Sequence, residues 1–243
     1  MKRQVFAVWF FIFLVWAIYR AYFRFPEWVD ELLVKPLIFV GPVFYLVLVH
    51  ENKKLDELGL APTGKSLFLD LYIGVVIGIL FAMEGLFANY LKYGQFSFSP
   101  IFALKLSAGI LPFLFINLIT SVWEEILGRG FLYQRLAKIT NNQFGAALVS
   151  SFLFLLLHIP IMFTQLHLMG ISLLVYPLSI LLLGITNSYI LSLRGSLVLP
   201  ILIHTLTLCK DNVYIINCSR GDVVDEKAIK EGLLSGKIAG FCC

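Results

Sequence analysis

An all-α, polytopic bundle of about seven transmembrane helices, followed by a short non-membrane C-terminal tail, is the fold predicted by three features of this 243-residue chain. Hydrophobic residues make up 59% of it and charged ones only 14%, with a mean hydropathy of +0.88, which leaves too little polar surface to face water. The apolar residues gather in runs near the ~20 needed to cross a hydrocarbon core of about 30 Å. Those runs end at Leu208, where the composition turns polar.

The first run, Val5 to Tyr22, follows Met1-Lys2-Arg3 as a secretory signal would. It is long and aromatic and lacks a small-residue cleavage site, so it reads as a retained signal anchor. The second, Val34 to Val49, is short for a span and leads into the polar loop His50 to Ser66. The third, Leu67 to Leu91, carries Gly74 and Gly78 in G-x-x-x-G spacing, which suits packing within the bundle, and Glu84, which either lines the same cavity as the motif residues or pairs with another helix. The fourth, Leu104 to Leu136, would be roughly 50 Å long as a straight helix and must tilt, bend or protrude. Phe144 to His158, Gly170 to Leu193 and Leu197 to Leu208 complete the set, the first and last of these being short. The distribution of Lys and Arg among alternate loops tilts toward a cytoplasmic N-terminus but leaves the orientation open.

Several function classes fall away at this point. The net charge is +4, but the basic residues are scattered at helix ends without a basic stripe, which excludes nucleic acid as a partner. Gly59 to Ser66 reads G-x-x-x-x-G-K-S, yet no buried strand precedes it, so the nucleotide-binding context is missing. Cys209, Cys218, Cys242 and Cys243 all lie at the C-terminal end and supply neither a disulfide framework nor a cysteine zinc site for the bundle. The terminal cysteine pair is not read as a prenylation signal. His50 and His167 sit at helix ends or in loops and receive no role.

The chemistry lies in ionisable groups within apolar helices, which cost several kcal/mol each on insertion scales and are functional candidates for that reason. In SVWEEILGRGFL, Glu125 and Arg129 are spaced i,i+4 and form a pair of favourable order. Glu124 points about 100° away on the helix and is expected to be free to act as general base or acid. His158 ends the run SFLFLLLHIP, with Pro160 expected to terminate the helix, and His204 follows Pro200 by one turn in LVLPILIHTL. A carboxylate and two imidazoles brought together could activate water against an amide, with the second imidazole facing the oxyanion. The same three, Glu124, His158 and His204, could instead hold a zinc ion as a His2Glu site. The plainer reading makes Glu125 and Arg129 a structural pair and each histidine a helix-end residue; it suits any one of them better than the whole set.

These residues resemble a known family. EEILGRGFL is similar to the EExxxR motif, FLLLH (Phe154 to His158) to FxxxH, and LPILIHTL to the last histidine motif of the CPBP intramembrane proteases. That group includes type II CAAX prenyl endopeptidases and abortive-infection or bacteriocin-immunity proteins. The resemblance runs from about Leu55 to Leu208, taking in LDELGL before the third run. It implies a membrane endopeptidase acting on a membrane-associated, CAAX-like and prenylated or bacteriocin-type peptide, in the plasma membrane of a prokaryote. Carried over, Glu124 and His158 activate water, His204 helps form the oxyanion site, and Glu125 and Arg129 support them. The chain departs from the pattern at Leu208, where the family usually has an asparagine; leucine cannot donate a hydrogen bond. Asn212 lies two turns beyond.

The departure leaves an alternative, a non-proteolytic scaffold or immunity protein with an impaired site. A polar group reaching the site beside His204 from elsewhere would discriminate the two. A proton-coupled transporter would also bury carboxylates and histidines, but it predicts repeated halves, and no internal repeat is present. The tail, YIINCSRGDVVDEKAIKEGLLSGKIAG, resembles a segment of D-2-hydroxyacid dehydrogenases, in which the residue matching Arg220 contacts substrate. Without any G-x-G-x-x-G, the tail is expected to be a fusion or truncation scar over 211–243 behind a protease domain over 1–210, with a strand at Val213 to Asn217 and a helix starting at Asp225.

Overall fold

The computed structural model describes residues 2–61, 64–93, 110–164, 166, 168, 172–211, 213–216 and 238–242. Among the described residues seven long helices form the bundle. They are α1 (Lys2–Tyr22), α2 (Glu27–His50), α3 (Gly64–Tyr93), α4 (110–140), α5 (Gln143–Thr164), α6 (Ser172–Arg194) and α7 (Val198–Asp211). Four helical stretches, α1, α2, α5 and Tyr176–Arg194 within α6, are long and apolar enough to cross a membrane.

Two sequence expectations change here. The second helix is not short, because it begins at Glu27 rather than Val34. Its polar first turns are accommodated by pairing: Arg20 meets Asp30 at 2.6 Å and Lys35 meets Glu31 at 2.8 Å. Pro36 and Pro42 lie inside α2, and the helix is wound wide as π-helix over Asp30–Val34, Pro36–Val40 and Tyr45–His50. Prolines remove amide donors and crowd the preceding carbonyls, which favours such widening. Pro160 likewise does not end α5, which runs on to Thr164, whose hydroxyl donates to the Pro160 carbonyl at 2.8 Å. A membrane helix tolerates this where neighbouring groups satisfy the freed backbone.

The long fourth helix solves its length by changing its winding. It is α-helical over Ile110–Glu125, π-helical over Ile126–Tyr133 and α-helical again over Gln134–Thr140. The wide turn is buried throughout and carries Gly130, where a Cβ would come 2.8 Å from the Leu58 carbonyl. The glycine lets the short 3₁₀ helix Leu55–Leu58 press against α4, and Leu58 is fully buried there. Gly74 meets α7 in the same way, since a Cβ on it would lie 2.6 Å from Leu202 Cδ1. The G-x-x-x-G pair therefore packs inside the bundle.

Buried residues of α1, α2, the wide turn of α4 and α5 form one core, with Trp9 and Trp16 donating to the carbonyls of Leu153 and Leu157 at 3.1 Å each. Large apolar side chains such as Phe10, Leu37, Tyr72, Phe152 and Leu182 point outward. That is the arrangement of an integral membrane protein, apolar outside and polar groups paired within. Beyond α7, β1 (Val213–Ile216) pairs in parallel with β2 (Ile238–Cys242); the first is the strand expected there. The tail helix, Arg220, Asn212, His167, the side chains of Glu84 and the four cysteines, and the start of the fourth run at Leu104 lie outside the described residues.

Candidate active site

Glu124 and Glu125 stand where α4 passes from α- to π-helical winding, and their side chains diverge to two sets of partners. Glu125 is fully buried. Its Oε1 lies 3.0 Å from an Arg129 guanidinium nitrogen and 2.8 Å from His204 Nδ1, and it accepts from Asn187 Nδ2 at 3.1 Å. The Asn187 amide also donates to the Pro200 carbonyl at 3.1 Å, tying α6 to the turn that presents His204. The expected Glu125–Arg129 pair is present. Asn187 is a partner that motif reading missed, although an amide inside LLLGITNSYIL was a signal, since polar groups in apolar helices need partners.

Glu124 is not free, contrary to expectation. The Lys35 ammonium of α2 donates to its Oε1 at 2.8 Å. The other oxygen, Oε2, faces both imidazoles, with His158 Nε2 at 3.8 Å and His204 Nε2 at 3.6 Å. The structure thus brings Glu124, Glu125, Arg129, His158 and His204 together, each on the helix assigned from sequence. Lys35 escaped because it was counted as the edge of a short run rather than part of a span.

The second nitrogen of each imidazole is engaged. His158 Nδ1 lies 3.1 Å from the Phe154 carbonyl, which can only accept, so Nδ1 carries a proton. The Phe154 ring packs beside His158, centroids 4.8 Å apart, and beneath the Arg129 guanidinium at 4.9 Å. The phenylalanine of FxxxH therefore steadies both halves of the site. A neutral His158 then turns an accepting Nε2 toward an accepting carboxylate oxygen, an arrangement that calls for a donor between them. A cavity of about 30 Å³ opens beside Glu124 and His158, lined also by Trp16, Arg20, Lys35 and Phe39, and one or two waters fit such a volume.

The zinc alternative would use Glu124, His158 and His204. Oε1 of the glutamate already holds an ammonium, whose charge opposes a dication. Among the described residues no group of three or more His, Cys, Asp or Glu could hold a metal ion. Leu208 lies one helical turn beyond His204 and brings no donor. The polar groups that reach the site from elsewhere are Asn187 and Lys35.

Residues 201–243 match the model of the D-isomer specific 2-hydroxyacid dehydrogenase NAD binding domain, in keeping with the resemblance of the tail. No curated protein and no solved structure matches the chain. Residues 105–208, the stretch that carries Glu124, Glu125, Arg129, His158 and His204, match the family model described as type II CAAX prenyl endopeptidase Rce1-like.

Proposed function

We propose that this protein is an intramembrane endopeptidase that hydrolyses a peptide bond of a membrane-associated substrate. The observation that carries the reading is the convergence of His158 Nε2 and His204 Nε2 on Oε2 of Glu124, at 3.8 and 3.6 Å, beside a cavity of water size. A water in that cavity donates to Glu124 and His158 and directs its oxygen at the amide carbon. As the carbon–oxygen bond forms, a water proton passes to Glu124, and the negative charge gathers on the carbonyl oxygen. His204, with Nδ1 engaged by Glu125, turns Nε2 toward that oxygen. Return of the proton from Glu124 to the amide nitrogen lets the carbon–nitrogen bond break, giving a carboxylic acid and an amine. Glu125 and Arg129 fix His204 and balance charge. The family match favours a CAAX-type prenylated tail as substrate, and the family resemblance favours a prokaryotic plasma membrane.

Cleavage of prenylated and unprenylated membrane peptides by the purified protein in lipid tests this. Glu124→Ala and His158→Ala are each expected to lower turnover by about 10²- to 10⁴-fold, the usual contribution of a general base. A chelator is expected to leave cleavage unchanged. A folded wild-type protein that cuts no peptide would sink the reading and favour the second one, a non-proteolytic scaffold or immunity protein, which Leu208 supports.

A further inference from the structure

The role of Lys35 is assigned by nothing in the matched stretch 105–208, because it comes from α2. It is only 5% exposed, and its ammonium lies 2.8 Å from Oε1 of both Glu31 and Glu124. A carboxylate whose oxygens are both unheld turns about its last bond; anchoring one of them fixes the plane of the group and so the direction of the other. By taking Oε1, Lys35 leaves Oε2 as the atom facing His158 and His204. Glu31, one turn earlier on the same helix, braces the ammonium from the other side. The backbone there is fixed in turn, since the Trp123 indole of α4 donates to the Glu31 carbonyl at 2.9 Å. A residue adjacent to Glu124 thus anchors the turn that carries its counter-ion.

We infer that Lys35 is a positioning residue, which, braced by Glu31, holds the Glu124 carboxylate with its other oxygen toward both histidines. Its catalytic consequence rests on the endopeptidase reading. The geometric hold does not. On this account α2 completes a site whose other members all lie in α4 to α7.

The test compares Lys35→Met and Lys35→Arg with wild type in the peptide assay, and the melting temperatures of Lys35→Met, Glu124→Gln and the double variant in lipid. Lys35→Met should lower kcat by about a hundredfold, the loss expected for a misplaced reacting group, while KM stays within about twofold. Lys35→Arg, which keeps a charged donor, should retain more of the rate. Lys35→Met strands a buried carboxylate, so adding Glu124→Gln should raise its melting temperature again. An unchanged kcat in Lys35→Met, or additive melting losses, would overturn the inference. If Lys35→Met does not fold, recovery of folding in the double variant decides in its place, and failure to recover counts against it. If the wild type cleaves nothing, the endopeptidase reading fails on its own, and the melting comparison alone decides whether Lys35 holds Glu124.

Discussion

Glu125 is a carboxylate with no access to solvent, held by Arg129, His204 and Asn187 through one oxygen. Removing one partner of such a pair leaves a charge in a low dielectric. Arg129→Met is therefore expected to destabilise the protein by about 3–5 kcal/mol, read as a lower melting temperature in lipid, with part of the loss regained by adding Glu125→Gln. The spacing of Glu125 and Arg129 was enough to pair them, because i,i+4 on a helix is a local relation. The partners of Glu124 were not legible in the same way. Lys35 stands 89 positions away in sequence, and no local rule links a lysine in one helix to a glutamate in another. Asn187 escaped for the same reason, its partners lying 62 and 13 positions away.

At the scale of elements, the helices were legible from apolar runs, whereas their ends depended on neighbours. Glu27 to Lys35 reads as a polar edge until Arg20 and Glu124 are seen to pair with it. The Gly74 contact makes a prediction about packing: Gly74→Val would drive side-chain atoms into Leu202 and should cost about 1–3 kcal/mol, as overpacking does, measurable as reduced thermal stability. A second prediction concerns the loop before α3, where Lys138 donates to Glu57 at 2.7 Å. That hydrogen bond holds the Glu57 carboxyl below the usual carboxylate range, helped by the charges of Lys138, Lys53 and Arg135 against the opposing effect of burial. A depressed carboxylate stabilises the fold above its unfolded-state pKa, and the contribution fades as pH falls through the folded value. Lys138→Gln should thus lower stability near neutral pH by at most about 1 kcal/mol, as for other exposed pairs. The difference from wild type should shrink on acidification in a pH series of thermal melts.

At the scale of the whole molecule, the apolar exterior has meaning only against lipid. Phe152, midway along α5, is 53% exposed while Leu153 and Phe154 beside it are buried. Phe152→Lys should cost about 2.5–3.5 kcal/mol on insertion, lowering the membrane-inserted yield while leaving the turnover of each inserted molecule near wild type. The tail stands apart in composition from this exterior and makes a small parallel sheet of its own. We propose that it is a fragment foreign to the bundle, an assignment that rests on its dehydrogenase match.

The sequence by itself determined the membrane setting, the helical bundle and the residues EExxxR, FxxxH and the last histidine, because hydropathy, helical periodicity and motif spacing are all short-range properties of the chain. That Glu124 turns one oxygen to the histidines and gives the other to an ammonium from α2 was decided only by the tertiary structure. The physical reason is that a buried charge takes its counter-ion from whichever helix packs against it, and packing partners across a bundle are not encoded by distance along the chain.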